Sequence, residues 1–212
     1  MKPSSVNRRF CTIKNFFRKC YEWKLLAEDP CHKMKKRKYE ENPFRPWTPE
    51  LMERFLLMCE GVWAKIFEFL WLTGARPMEL KNLKWTDIDY DDQLLTLRCG
   101  KNAQISRKFP ITKELDRLLH SVKMDGPYVF ANNKKQLNND NLYHYCKKRL
   151  ERLGLHGFTV YGIRHGFGTK LAKQGVSAFY IAQLMGHTRL DTTKKYVHSE
   201  KNQLIQILNK AK

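Results

Sequence analysis

The chain has little that could cross-link it or carry it through a membrane. Its six cysteines, Cys11, Cys20, Cys31, Cys59, Cys99 and Cys146, are scattered, and no two form a C-x-x-C pair. That spacing indicates neither a zinc site nor a disulfide framework, and reads as reduced thiols in a cytosolic protein. No run of 18 apolar residues occurs, and the segment from Trp63 to Leu72 is interrupted by Lys65 and Glu68. A membrane-spanning helix is therefore not expected, and the N-terminus lacks the apolar core of a signal peptide. No P-loop is present to cradle a nucleotide, and no acidic cluster to hold Mg²⁺. Acidic residues are scarce altogether: 21 Asp+Glu stand against 40 Lys+Arg.

That imbalance leaves a formal net charge of +19 over 212 residues. It argues against most small-metabolite enzymes and points to a polyanionic partner, nucleic acid above all. A membrane-surface protein would concentrate its charge in a polybasic or amphipathic anchor, whereas here the charge is spread along the chain. The length suits one solid domain plus a small appendage, and the 42% apolar content can supply a core.

Residues 1–40 hold 12 Lys+Arg and 4 Asp+Glu. Within them Val6 to Leu26 reads as one helix, with Phe10, Ile13, Phe17 and Tyr21 at three- and four-residue spacing. One helix cannot bury its own stripe, so this one needs a partner surface. A basic, turn-rich linker follows from Lys33 to Pro46. Thr48 then caps a helix with Pro49 at its first position. Another helix runs from Val62 to Thr73 and stops at Gly74, and a short one spans Pro77 to Leu83. Residues 85–111 change period. Ile88, Leu94 to Leu97 and Phe109 to Ile111 predict three short strands joined by turns at 89–92 and 100–106. From Lys113 the pattern is helical again, over 113–122, 139–153, 159–173, 178–185, 191–198 and 201–210, with Gly175 as a stop and Ser177 as a cap. The expected fold is mostly α with a small three-stranded antiparallel sheet.

Three segments carry polar residues that a purely structural helix does not need. In the first, Thr73 to Leu80, Arg76 lies in the turn before a helix and Glu79 follows three residues later. In the second, Tyr161 and Arg164 are three apart, close to one helix face. The third is Leu184-Met185-Gly186-His187, with Tyr196 nine residues after His187.

These segments closely resemble the signature boxes of the tyrosine recombinases, the phage-integrase family. The family pattern is a T-G-x-R-x-x-E-L box, a [His/Lys/Tyr]-x-x-R box, and an L-G-H box with Tyr nine residues beyond its His. Arg76, Arg164, His187 and Tyr196 fall into those positions, with His187 23 positions after Arg164. The resemblance covers roughly residues 45–200 and implies the integrase catalytic fold. Residues 1–42 are similar to the last helix of the family's core-binding domain and its linker, 43–200 to the catalytic domain, and 201–212 to an assembly helix.

The chemistry is sound on its own terms. A phosphodiester under attack develops charge on its non-bridging oxygens, and two planar guanidiniums, Arg76 and Arg164, could clamp both. A phenol is a poor nucleophile until cations favour its phenolate. Tyr196 would then form a covalent phosphotyrosyl bond to DNA. That bond conserves the phosphodiester energy, so no ATP, metal or other cofactor is expected. The resemblance implies that a lysine in the turn between the second and third strands protonates the leaving oxygen. Lys101 occupies that turn, and Lys108, beside Arg107, is the rival. Tyr161 stands where the family usually has His, and reads as a hydrogen-bond donor to phosphate rather than a base. His187 is then the nearby candidate to accept the Tyr196 proton. Glu79 reads as an orienting or packing partner of Arg76.

The resemblance implies double-stranded DNA as partner, a monomer when free, a homotetramer when two DNA sites are paired, and in some settings accessory DNA-bending proteins. It implies a cytoplasmic, nucleoid-associated location in a prokaryotic host, or encoding by a virus or mobile element. Two other readings remain at this stage. One is a DNA-relaxing enzyme resembling type IB topoisomerases. The other is a non-catalytic DNA-binding regulator, against which the full catalytic set argues.

Overall fold

A computed structural model describes residues 3–38, 45–99, 105–132 and 135–186. Contacts divide the chain into two units, Met1–Pro43 and Phe44–Lys212.

The first unit is built on α1, Pro3–Glu22. It ends earlier than the sequence pattern predicts. Lys24 adopts φ 58°, the Lys24 N–H donates to the Tyr21 carbonyl at 2.9 Å, and the Leu25 N–H donates to the Cys20 carbonyl at 2.9 Å. This pair of bonds is a Schellman stop made with lysine where glycine is usual, so no glycine marks it in the sequence. The chain then doubles back. Asn7 exchanges two hydrogen bonds with the Arg37 backbone, and the Lys14 ammonium donates to the Met34 carbonyl. Phe10 and Phe17 are half-buried, as the stripe requires. Ile13 and Tyr21 are exposed, because the returning segment covers the neighbouring strip of α1 instead.

The second unit is organised around α3, Val62–Thr73, apolar on nearly every side and therefore central. Ile66, Phe67, Phe69 and Leu70 of this helix are buried. An aromatic chain runs through the core: Trp47 meets Phe55 edge-on at 4.8 Å, Phe55 meets Phe67 at 4.9 Å, and Trp63 stacks on Tyr145 at 4.5 Å. Trp47 also donates its indole N–H to the Thr159 carbonyl at 3.0 Å, and the Trp47 backbone N–H donates to Gly162 at 3.3 Å. Arg45, which the sequence pattern places near the end of the linker, also donates to the His156 carbonyl at 3.2 Å and so belongs to this unit.

Around α3 lie α2 (Pro49–Leu56), α4 (Pro77–Asn82), α5 (Lys113–Ser121), α6 (Asn139–Arg152), α7 (Val160–Lys173) and α8 (Ala178–Met185). Thr48 caps α2 as the sequence predicts, whereas Ser177 stands at the N-cap of α8 without a side-chain capping bond. Thr48 accepts from the Leu51 N–H, Thr112 from Leu115 and Thr159 from Gly162. Strands β1 (Ile88–Asp89), β2 (Leu94–Cys99) and β3 (Ile105–Pro110) form an antiparallel sheet in that order. In its register Leu95 pairs with Phe109 and Leu97 with Arg107.

Two features differ from the sequence reading. β3 begins at Ile105, four residues before the predicted strand. Polar Ser106, Arg107 and Lys108 hide its period, yet Ser106 and Lys108 face solvent while Arg107 and Phe109 are buried. A small hairpin, β4 (Ala131–Asn132) with β5 (Lys135–Gln136), precedes α6 and is too short to show a period. The predicted helices over 191–198 and 201–210 lie outside the described residues. Among the described residues no helix is long and apolar enough to cross a membrane.

Candidate active site

The turn after α3 sets the first arginine. Gly74 ends the helix at φ 59°, a conformation that costs side-chain-bearing residues about 1 kcal/mol or more, and a Cβ there would lie 2.5 Å from the Phe167 ring. The chain reverses over Ala75, and Arg76 becomes the N-cap of α4 with Pro77 in the first turn. Glu79, three residues on, folds back on this turn. Its Oε2 accepts the Arg76 backbone N–H at 2.9 Å and its Oε1 accepts the Arg76 guanidinium at 2.7 Å. The carboxylate is 1% exposed, and the Arg76 side chain is 27% exposed. Arg76 is thus held at both its backbone and its guanidinium, yet remains partly exposed.

Arg164 projects from the middle of α7 and is buried. Its guanidinium donates to the Gly74 carbonyl at 2.6 Å and to the Met185 carbonyl. Arg76 donates to the Gly186 carbonyl at 3.0 Å. Two residues 88 positions apart in the chain therefore meet the same two segments, the turn after α3 and the end of α8. Gly186 closes α8 in the left-handed region at φ 61°, and the next residue is His187.

A third guanidinium, not singled out from the sequence except as a neighbour of Lys108, joins them. Arg107 of β3 is buried and donates to Glu79 Oε2 at 3.1 Å, to the Thr73 carbonyl at 3.4 Å and to the Leu184 carbonyl. The carbonyls of Leu184, Met185 and Gly186 lie at the C-terminal end of α8, the negative end of its dipole. Each receives a guanidinium from a different element. The sequence signal was the buried register of β3, which only the strand's true start reveals.

The electrostatics follow. Burial pushes the Glu79 carboxyl up, but the Arg107 charge, the Arg76 N–H and the Arg76 charge outweigh it, so its pKa lies below the ordinary value. Three guanidiniums against one carboxylate leave the site strongly cationic.

Tyr161 stands in the first turn of α7 and is 48% exposed, unlike Arg164. Beside it lies Tyr143 of α6. Burial, then the Tyr161 hydroxyl, push the Tyr143 phenol above its usual value. Lys108 is exposed on the face of β3 opposite Arg107. Lys101, His187 and Tyr196 lie outside the described residues. Among the described residues no group of His, Cys, Asp and Glu is arranged to hold a metal ion. Cys59 and Cys146 are free thiols, raised by burial to about 11 and about 12, which makes them poor nucleophiles at neutral pH.

The sequence profile of the Phage integrase family matches residues 32–203. The chain belongs to this family. It is a tyrosine recombinase, similar along most of its length to named recombinases. It is 29% identical to tyrosine recombinase XerA of Pyrococcus horikoshii, over 98% of this chain and 74% of that protein. It is 30% identical to tyrosine recombinase XerC of Chlamydia trachomatis, over 92% of this chain and 66% of the relative. The fold of this recombinase is shared by solved integrases. The Tn1549 transposon integrase in complex with a circular intermediate DNA matches all of this chain and 80% of its own, with a TM-score of 0.86 at 16% identity. A lambda integrase tetramer bound to a Holliday junction matches 89% of this chain and 60% of its own, with a TM-score of 0.73 at 19% identity.

Proposed function

We propose that this recombinase cuts and rejoins specific sites in double-stranded DNA through a 3′-phosphotyrosyl intermediate on Tyr196. The observation that carries this reading is the convergence of Arg76 and Arg164 on the segment that ends one residue before His187. Two forked cations from separate elements suit the two non-bridging oxygens of one phosphate. The Tyr196 oxygen attacks phosphorus and the 5′-oxygen leaves. The phosphodiester is exchanged for a phosphotyrosyl ester of similar energy, so a DNA hydroxyl reverses the step without ATP.

The remaining roles follow the sequence. His187 takes the phenolic proton, and Lys101 gives a proton to the departing 5′-oxygen. Tyr161 donates a hydrogen bond to the phosphate, at a helix N-terminus that itself favours an anion. Glu79 holds Arg76 in position. The chain divides by role into 1–42, a DNA-contacting helix and linker, 43–200, the catalytic domain, and 201–212, a tail through which copies assemble. The tail's Leu204, Ile205, Ile207 and Leu208 would form an apolar stripe on a helix. Paired sites are held by four copies, an arrangement supported by the tetramer on a Holliday junction seen for lambda integrase. The protein acts at the DNA of a prokaryotic cell or its mobile elements, as its named relatives suggest.

The test uses nicked duplexes with a randomised core, from which a released short strand prevents rejoining. Wild-type protein is expected to form an SDS-resistant adduct that maps to a Tyr196 peptide. Tyr196→Phe, which keeps the ring and loses the oxygen, is expected to bind DNA normally and form none. An adduct persisting in Tyr196→Phe would overturn the assignment of the nucleophile. Adduct with every sequence, accompanied by relaxation of any plasmid, would favour a topoisomerase instead.

A further inference from the structure

Arg107 is a charged residue on the buried face of the β2–β3 pair, among Leu95, Leu97 and Phe109. Burying a guanidinium is unfavourable by several kcal/mol unless its donors are met. Here its two terminal nitrogens find acceptors, and every one of those acceptors belongs to the segments that hold the site. Thr73 ends α3 just before the turn to Arg76. Glu79 grips Arg76 through both its backbone and its guanidinium. Leu184 lies three residues before His187. The stem of Arg107 packs under the same exit: a Cβ on Gly186 would lie 2.6 Å from Arg107 Cδ.

We propose that Arg107 is a positioning residue of the cleavage step. It bridges Glu79 and the end of α8, and so fixes the Arg76 guanidinium relative to the point where the chain departs for His187. The proposal rests on the recombinase reading above. Arg107 does not touch the DNA; its effect passes through Glu79 to Arg76, and through the α8 carbonyls to His187. The Glu79 carboxylate faces Arg76 on its own element and Arg107 from β3. Without Arg107 it keeps Arg76 as its one described ion-pair partner, and nothing from β3 ties it to α8. A lysine at 107 would keep the charge, but a single ammonium cannot span Glu79, Thr73 and Leu184 as the planar fork does.

The experiment compares wild type, Arg107→Lys and Arg107→Met as full chains. DNA affinity, single-turnover cleavage at saturating nicked duplex, and amide hydrogen exchange are measured together. Arg107→Lys is expected to fold, to bind DNA within about twofold of wild type, and to cleave about 10²-fold more slowly, the loss that follows a misplacement of about 1 Å. Exchange in the peptide covering 181–186 is expected to quicken while that of α3 stays slow. Arg107→Met is expected to lose at least as much cleavage with the same affinity. A folded Arg107→Lys or Arg107→Met that cleaves at the wild-type rate overturns the proposal, as does unchanged exchange at 181–186. If neither variant folds, Arg107 serves the fold alone and the proposal is overturned. Wild-type protein that yields no adduct overturns the recombinase reading instead, and the exchange measurement still decides whether Arg107 holds the end of α8.

Discussion

At the scale of single residues, the site contrasts two kinds of arginine. Arg76 is partly exposed, its guanidinium shared between Glu79 and the Gly186 carbonyl, whereas Arg164 is buried and spans two backbone segments. Both need the planar fork, because each serves carbonyl or carboxylate groups in two directions. Arg76→Lys and Arg164→Lys are each expected to lower single-turnover cleavage by at least ~10²-fold, the scale of losing one donor to a developing oxyanion. Near-normal rates in either lysine variant would contradict the clamp. Glu79 adds a pH dependence. Its carboxyl is held below the ordinary 4.5, so in the range just under that value the unfolded chain binds a proton that the folded one does not. Its stabilising contribution is therefore complete above about 4.5 and is lost as pH falls through the lower, folded value. Denaturant midpoints measured on descending through this range are expected to drop in wild type and to drop less in Glu79→Gln.

At the scale of elements, the site depends on where helices stop. α3 and α8 both end on a glycine in the left-handed region, and Arg76 and His187, the residues proposed to act on the phosphate, follow within two residues. Gly74 has no room for a methyl group, since a Cβ would meet the buried Phe167 ring at 2.5 Å. Gly74→Ala combines left-handed strain of about 1–2 kcal/mol with overpacking of about 1–3 kcal/mol. A loss of about 2–4 kcal/mol in unfolding free energy is expected, read from chemical denaturation. A loss under about 0.5 kcal/mol, the usual effect of a surface change, would show that Phe167 moves aside freely. The ends of these helices were legible in the sequence because glycine marks them. The end of α1 was not, since Lys24 takes the left-handed position there without any such mark.

At the scale of the whole molecule, the excess of positive charge is the dominant feature. It is spread over both units, with 12 of the 40 Lys+Arg in residues 1–40. A duplex bound along such a surface releases many counterions, each neutralised phosphate adding about 0.9 to the slope of log affinity against log salt. A slope of about −5 or steeper is expected for the full chain, from fluorescence anisotropy with labelled duplex over a salt series. A slope equivalent to one or two phosphates, roughly −1 to −2, would show that the charge serves another purpose.

The sequence by itself determined the family and the mostly helical architecture, and it singled out Arg76, Glu79 and Arg164, which the structure brings together. These rest on local rules: glycine stops, Thr and Pro caps, helical period and box spacing act within a few residues of one another. What the tertiary structure decided is how these residues are held. The division of Glu79 between Arg76 and Arg107 joins residues 28 positions apart, and the bonds to the end of α8 join residues 21 to 110 apart. No local pattern encodes such pairings. They exist because packing α7, α8, α4 and β3 around α3 brings three guanidiniums together, two of them, Arg107 and Arg164, buried. Buried donors must then find acceptors, and the carbonyls at a helix end are the acceptors within reach.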